Sequence, residues 1–326
     1  MVRVTVVIPV TRIDYLNICL NSLYKQSYKN FEIILINDMK LGIKKKGNLK
    51  LLLIKNINPA HRRNVAVKKA KGNIIAFMDD DACADTNWLK NAANFMDKNR
   101  DFDVVGGPDL IPENSTFGEK ISDILLSNRF LGSGVLAHSN FSKQKEIMDG
   151  NSLTLCNLFV WKEAFEKVRG FNEKIGYGGE DTEFMYALTK KIKSRLMYLP
   201  NVVVYHKKRS FPFPYLKQRF NFRVNNGKML FVYPEIYLKN YKFMLFFIAA
   251  TLFFILLFLK PLIAFYALII YFLILILISL PYVIKDWRFI ILPVAFSMQH
   301  AAYYAGIIVG LSKIPNYSGL RKIRRV

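Results

Sequence analysis

Short apolar runs, separated by polar stretches of helical period, fill the first two hundred residues of this chain. Val4 to Ile8, Phe31 to Ile36, Leu49 to Ile54 and Ile74 to Met78 are compact and mostly rich in β-branched residues, which predicts buried strands. Pro9 should end the pairing of the first, since it has no N–H to give. Leu16, Leu20 and Leu23 recur at helical spacing within Tyr15 to Tyr24, and Ala60 to Ala70 reads as a basic helix closed by Gly72. Beyond these, the pattern predicts helices over Trp88 to Met96, Trp161 to Val168 and Glu180 to Lys191. It predicts strands at Val104-Val105, Leu196 to Leu199 and Val202 to Tyr205, the last ended by His206. Alternating strands and helices imply an α/β fold with a mostly parallel sheet and helices on both faces. Pro108 to Asp149 breaks the pattern with Gly118, Gly132, Gly134 and many Ser and Asn residues. It reads as a loop-rich insertion, the kind of segment that carries binding surface.

From Phe243 the chain turns overwhelmingly apolar. Phe243 to Leu259 would be about 25 Å long as a helix, and Leu262 to Ile284 about 35 Å. The first barely crosses a bilayer and the second does so comfortably. Phe289 to Leu311 is more polar, interrupted by Pro293, Gln299 and His300. Its Tyr303, Tyr304 and the pair Gly306/Gly310 suit an interface or close helix packing. The expected organisation is an α/β domain over 1–236, whose end merges into a basic juxtamembrane part at 206–242. Membrane or interfacial helices over 243–311 and a basic tail over 312–326 follow. The opening Met1 to Pro9 is too short and too β-branched for a signal peptide, so the head is expected in the cytosol. Three spans would then put Arg321, Lys322, Arg324 and Arg325 outside, against the positive-inside tendency. Two spans plus a helix lying in the interface would keep that tail cytosolic, and this arrangement is preferred.

The formal net charge of +23 implies attraction to polyanions. Its cations crowd just ahead of the apolar tail, at Lys207, Lys208, Arg209, Lys217, Arg219, Arg223, Lys228, Lys239 and Lys242. That placement favours an anionic lipid surface, at about 1 kcal/mol per cation, over nucleic acid, and no nucleic-acid partner is expected. A solvated basic face is the plain alternative. Cys19, Cys83 and Cys156 lie far apart with no Cys-x-x-Cys, which suggests neither a disulfide framework nor a zinc site.

Candidate chemistry gathers at strand ends. Asp79-Asp80-Asp81 follow the fourth strand, at the sheet edge where open α/β folds bind ligands. If extended geometry continues, Asp79 and Asp81 point the same way. Two such oxygen ligands suit Mg²⁺ or Mn²⁺; a helix-capping acidic loop is the alternative. Asp38 ends the second strand. Arg63-Asn64 lie on the basic helix, with Arg62 or Arg63 facing a diphosphate or solvent. Glu180-Asp181 follow the loop Gly176-Tyr177-Gly178-Gly179, whose glycines admit close backbone approach; capping of the next helix is the alternative there.

In order, these features resemble the family 2 glycosyltransferases of GT-A fold. The residues that carry the resemblance are Val6-Val7-Ile8-Pro9, Gln26 to Ile34, Asp38, Arg63-Asn64, Ile75 to Ala82 with Trp88-Leu89, and Val105-Gly106-Gly107-Pro108. Gly170-Phe171-Asn172-Glu173, Gly179 to Glu183 and Val204-Tyr205-His206 complete the set, which spans roughly Val2 to Tyr233. The resemblance implies a metal-dependent enzyme with a nucleotide-sugar donor. Asp79 and Asp81 look like its metal-binding Asp-x-Asp pair, with Asp81 the direct ligand and His206 joining Mn²⁺ or Mg²⁺. Asp181 looks like the general base. Pro9, Asp38, Arg63, Asn64, Asp79, Asp80, Asn157 and Glu180 would line the donor, Asp38 at the base and Asn157 near the sugar. Asp80 reads mainly as a structural neighbour within the acidic triplet.

Departures are visible. Pro9-Val10-Thr11-Arg12 lacks the usual aromatic, and Met39-Lys40-Leu41-Gly42 lacks the usual Gly-Ser-x-Asp. Gln218 is followed by Arg219-Phe220-Asn221-Phe222 rather than the Gln-x-x-Arg-Trp of processive members, so one sugar per encounter is expected. A single base implies inversion, and the apolar tail implies a lipid-linked or glycan acceptor at the membrane. The alternative is a catalytically degenerate, membrane-tethered nucleotide-sugar-binding or scaffold protein. A metal phosphatase fits less well, because its nucleophilic aspartate follows the first strand.

Overall fold

The computed structural model describes residues 3–313 apart from 40, 44–45, 129, 133–134, 140, 149–151, 176–177 and 239–240, and apart from the side chains of 241–243. Gly134, Asp149, Gly176-Tyr177, Lys40, Lys239, the Lys242 side chain and the basic tail with Arg321, Lys322, Arg324 and Arg325 therefore lie outside the described residues. In chain order the elements are β1 (Val4–Pro9), α1 (Ile13–Tyr24), β2 (Phe31–Asn37), β3 (Leu49–Leu53), α2 (Pro59–Lys69), β4 (Ile74–Phe77), β5 (Ala82–Ala84), α3 (Trp88–Lys98), β6 (Phe102–Gly106) and β7 (Asp109–Leu110). They continue with α4 (Phe117–Ser127), β8 (Lys145–Ile147), β9 (Leu158–Trp161), α5 (Lys162–Lys167), α6 (Glu180–Lys191), β10 (Arg195–Tyr198) and β11 (Val204–His206). Five more helices close the sequence: α7 (Phe213–Val232), α8 (Pro234–Tyr237), α9 (Tyr241–Leu259), α10 (Pro261–Lys285) and α11 (Leu292–Ser312).

The described residues divide into two compact units. One takes those up to Ser115 and from Leu126 to Lys208; the other takes Thr116–Leu125 and those from Arg209 onward. The first is built on an eight-stranded sheet of order β3-β2-β1-β4-β9-β6-β10-β8. β1 pairs in parallel with β2 and β4, and β3 and β10 also pair in parallel with their neighbours β2 and β6. Six of its eight strands run the same way, as expected, but the sheet is mixed rather than purely parallel. β9 runs antiparallel between β4 and β6, and β8 runs antiparallel beside β10. The cause is legible in hindsight. Leu158-Phe159-Val160-Trp161 is buried throughout, as a strand covered on both faces must be. It is too short to announce itself, and Trp161 belongs to it, so the helix begins only at Lys162. Pro9 also differs from expectation. It stays in register with Ile36 as the last residue of β1, and the Val10 N–H donates to Ile36 O at 2.7 Å, so the pairing includes the proline.

A second, three-stranded sheet of order β5-β11-β7 sits at the ends of β4 and β6 in the sequence. β11 pairs antiparallel with β5, opposing His206 to Ala82, and parallel with β7. Aromatic packing sets α6 against the main sheet. Phe171 lies 5.3 Å from Phe77 of β4 and 4.4 Å from Phe184 of α6, ring centre to ring centre. Gly170 makes this possible. Its φ is +65°, and a Cβ there would come within 2.5 Å of Asn64 Oδ1.

The second unit is helical. α10 and the stretch Trp287–Ser312 are long and apolar enough to cross a membrane, whereas Met244–Leu259 is shorter. α7 was not anticipated: its helical period is hidden by its many polar residues. It packs along α11 through glycine. A Cβ at Gly310 would meet Val224 O at 2.2 Å, and one at Gly306 would meet Phe220 O at 2.6 Å. The polar residues that interrupt the third apolar stretch are turned inward. Gln299 is 0 % exposed and accepts from the Tyr215 hydroxyl, and His300 Nδ1 lies 2.8 Å from the Tyr271 hydroxyl of α10. Pro293 stands in the first turn of α11, where its missing N–H costs nothing.

Candidate active site

Side chains alternate through Asp79-Asp80-Asp81 and take separate partners. Asp80 turns into the protein. Its Oδ2 accepts from the backbone N–H groups of Thr11 and Arg12 and, at 3.3 Å, from the Thr11 hydroxyl. It thereby fixes the loop between β1 and α1. Burial pushes its pKa up, against these hydrogen bonds. Asp81 faces Arg12, with Nη1 to Oδ2 at 2.7 Å, and His206, with Nε2 to Oδ1 at 3.1 Å. Burial works to raise its pKa, but His206 and Arg12 hold it below the ordinary carboxylate value. Asp79 is the most open of the three and lies 3.6 Å from Arg63 Nη2; burial raises its pKa and Arg63 opposes the rise.

One carboxylate oxygen each from Asp79 and Asp81, with an imidazole nitrogen of His206, lie within 4.8 Å of one another. Two carboxylates and an imidazole fit a divalent cation. The nitrogen suits Mn²⁺ better than Mg²⁺, which prefers oxygen throughout. The pairing of β11 with β5 explains the convergence. The Lys207 N–H donates to Asp81 O at 3.2 Å, so His206 arrives beside the acidic triplet from more than a hundred residues away.

Behind His206 stands a group that sequence reasoning missed. Asp109 of β7 is 1 % exposed. Its carboxylate holds Lys208 Nζ at 2.6 Å, His206 Nδ1 at 3.3 Å and His138 Nδ1 at 3.3 Å. Burial alone would raise its pKa, yet Lys208 and His206 hold it well below the ordinary value. His206 is in turn raised well above the imidazole value by Asp109, although burial works the other way. Asp109 ends a run, Val105-Gly106-Gly107-Pro108, already singled out in the sequence; a carboxylate at that strand end was the available signal. Lys208 is thereby corrected. Counted among the surface cations, it is 6 % exposed and neutralises Asp109. Cys156 lies in the same place. Burial, with help from Asp109, pushes its thiol to about 11.

Arg63 bridges two elements. From α2 it reaches Asp79 with Nη2 and, at 3.3 Å, Glu180 Oε1 with Nη1, while its buried Nε has no acceptor. Glu180 folds back at the start of α6, its Oε2 accepting from the N–H groups of Gly178 at 2.8 Å and Gly179 at 3.1 Å. Asp181 follows, half-buried, accepting from the Thr182 N–H at 2.7 Å. Burial and the neighbouring Glu180 push its pKa up to about 6.

The remaining predicted residues are not gathered here in the same way. Asp38 pairs with Arg62 Nη2 at 3.1 Å at the end of β2. Arg62 thus serves Asp38, and Arg63 is the one that faces the acidic triplet. Pro9 is buried within β1. Asn64 clamps the turn after Gly170, donating to Phe171 O at 2.9 Å and Glu173 Oε1 at 2.8 Å and accepting from the Phe171 N–H. Asn157, expected near a donor sugar, is 0 % exposed. It accepts from Trp88 Nε1 at 2.8 Å and donates to Pro108 O and Val202 O, so its amide is spent on tying strands together.

Comparison with known proteins agrees with this architecture. The sequence model of glycosyl transferase family 2 matches residues 5–167, and the chain belongs to that family. A second model, the N-terminal domain of galactosyltransferase, matches residues 136–203. An uncharacterized glycosyltransferase of Haemophilus influenzae is 26% identical over 213 residues, covering 61% of this chain and 76% of that protein. One of Rickettsia bellii is 35% identical over 106 residues, but these are 30% of this chain and only 15% of the longer relative. The UDP-Glc:alpha-D-GlcNAc-diphosphoundecaprenol beta-1,3-glucosyltransferase WfaP of Escherichia coli is 29% identical over 192 residues, 56% of this chain and 68% of WfaP. Among solved structures, the mannosyltransferase PcManGT of Pyrobaculum calidifontis, in complex with GDP-Man and Mn²⁺, shares the fold. The TM-score is 0.59 at 16% identity, over 95% of this chain and 87% of that one.

Proposed function

We propose that this chain is a GT-A-type, inverting and non-processive glycosyltransferase. It moves a sugar from a nucleotide-sugar to a lipid-linked or glycan acceptor at the cytosolic face of a membrane. The observation that carries this reading is the convergence of Asp79, Asp81 and His206 within the first unit, with Arg63 linking Asp79 to the start of α6 beside Asp181. WfaP, by its printed name, acts on a diphosphoundecaprenol-linked sugar, which fits a lipid-linked acceptor, and PcManGT was solved with GDP-Man and Mn²⁺, which fits a metal-dependent donor site.

Asp79, Asp81 and His206 would hold Mn²⁺ or Mg²⁺, which when bound supplies positive charge to the leaving diphosphate. Arg63 offers the same anion a guanidinium whose Nε–H has no acceptor in the protein. Asp38 stands at the base end of the donor site and Glu180 keeps Arg63 and the glycine loop in place. Asp181 takes the proton from the attacking acceptor hydroxyl. With a pKa of about 6 it is ionised at neutral pH and still basic enough for that task. One base opposite the leaving group gives a single displacement with inversion. Asn64 and Asn157 act on the scaffold, not on the donor.

The test is Asp181→Asn. Calorimetric donor binding with Mn²⁺ should persist while transfer falls by about 100-fold or more, the usual worth of a general base. Unchanged turnover removes Asp181 from that role. Donor binding by the unaltered chain without any turnover would instead establish the scaffold reading.

A further inference from the structure

We propose that the seam between α7 and α11 is a binding site for the phosphate headgroup of a membrane lipid, anchored by Arg219. The inference rests on the membrane reading of the C-terminal helices and lies wholly within the second unit. At one end of the seam Tyr215 and Gln299, both buried, are hydrogen-bonded to each other. One turn further along α7, the Arg219 guanidinium lies over the rings of Tyr215, at 5.5 Å, and Phe222, at 4.6 Å. One turn beyond, Arg223 stacks on Tyr303 of α11 at 4.1 Å. Two guanidinium groups are thus held a helical turn apart by aromatic faces.

Arg219 is incompletely satisfied. Its Nη2 donates to Gln218 Oε1 at 2.9 Å, but its Nε is shut away from solvent without an acceptor. Among the described residues no carboxylate comes within ion-pair reach of it. The chain has little to offer: Glu235 and Asp286 are the only acids in the sequence from Arg209 to Lys313, and Asp286 is held by Arg288 at 2.7 Å. Arg219 is half-buried, its guanidinium is held against aromatic rings with Nε unmatched, and its planar fork suits phosphate oxygens. Among the described residues none supplies an anion to it, which leaves the site open to one from outside the chain.

The surroundings say which kind. The exposed side chains of α10 and of the outer face of α11 are apolar, among them Ile263, Phe265, Leu277, Val294, Met298 and Ile308. Along the seam of α7 and α11, by contrast, stand Tyr215 with Gln299 and Arg223 with Tyr303. A phosphate carried by a lipid can meet Arg219 while its hydrocarbon chain runs along those apolar faces. In the glycosyl-transfer reading this is where a phosphate-bearing lipid acceptor is held by its headgroup.

Native mass spectrometry of the full chain in a sugar-headgroup detergent tests the site, with a polyprenyl monophosphate and the matching polyprenol as probes. The phosphate lipid should be retained and the polyprenol lost. Arg219→Gln should weaken retention about tenfold or more, as loss of a charge-assisted hydrogen bond does, and Arg219→Lys should recover part of it. Equal retention of the polyprenol, unaltered retention by Arg219→Gln, or equal displacement by inorganic phosphate at matching concentration overturns the proposal. If Arg219→Gln does not fold, a photoactivatable polyprenyl phosphate on the unaltered chain decides. Labelling of α7 and α11 supports the site, and labelling confined to other segments overturns it. Calorimetry of the unaltered chain with nucleotide-sugars and Mn²⁺ keeps the two readings apart. Lipid retention without nucleotide-sugar binding leaves this site standing while the transferase reading falls.

Discussion

At the residue scale, three adjacent aspartates have three different surroundings, and mutations should separate them. Asp81→Ala removes a carboxylate that faces His206 and Arg12, and should abolish Mn²⁺-dependent donor binding measured by calorimetry. Asp80→Ala strands two backbone N–H donors in the loop after β1. Its main effect should be on stability, about 1–3 kcal/mol, the cost of leaving buried donors without an acceptor, read as a lowered unfolding midpoint. Equal losses of metal-dependent binding at both positions would refute this division. Asp181 gives a pH prediction. Its pKa is raised to about 6, so the proton-accepting form is lost as pH falls through that value. Transfer should rise between pH 5 and 7 with an apparent pKa near 6 in the donor-bound enzyme, and Asp181→Asn should abolish that limb of the profile. A place at a strand end could have marked Asp109 as a candidate, but not its partners. Its meaning comes from His138, His206 and Lys208, which only the fold brings to it.

At the scale of elements, strands written as apolar or β-branched runs were readable, the short β10 and β11 among them, whereas others of the same length were not. β1, β2, β3 and β4 follow from β-branched and apolar runs, whereas β5, β7 and β9 are two to four residues long and carry too little periodicity to be told from loop. These short strands matter most for the site, since β5 and β7 hold β11 and hence His206. α7 escaped for the opposite reason. Its sequence is polar for most of a turn at a time, and only packing on α11 gives it an inner face. The glycine seam between them supplies the element-scale prediction. Gly310→Val places side-chain atoms where Val224 O already lies 2.2 Å from an ideal Cβ. The helices must part, at a cost of about 1–3 kcal/mol for overpacking, and thermal unfolding in detergent should begin at lower temperature. Gly42→Ala, whose Cβ meets nothing within 4 Å, serves as the control and should leave the midpoint nearly unchanged.

At the scale of the whole molecule, a basic chain with an acidic, metal-fitting cluster should be stabilised only by the right pair of ligands. A cognate nucleotide-sugar with Mn²⁺, each well above its dissociation constant, should raise the unfolding midpoint. At 100 times the constant the gain is about 2.7 kcal/mol, and neither the donor alone nor EDTA-treated protein should show it. A screen of nucleotide-sugars on this readout also names the donor. The sequence by itself determined the alternation of strands and helices, the acidic triplet at a strand end, and the apolar character of the tail. These are written in local periodicity and composition, which do not need a partner to be read. The tertiary structure decided the mixed order of the sheet and the arrival of His206 beside Asp81. It decided the burial of Lys208 on Asp109 and the choice of Arg63 over Arg62 as the cation at the triplet. Each of these depends on pairing or packing between residues far apart in the chain, where local pattern carries no information. For Asp79-Asp81 the sequence announced two carboxylates; the fold supplied the imidazole that gives them a third ligand.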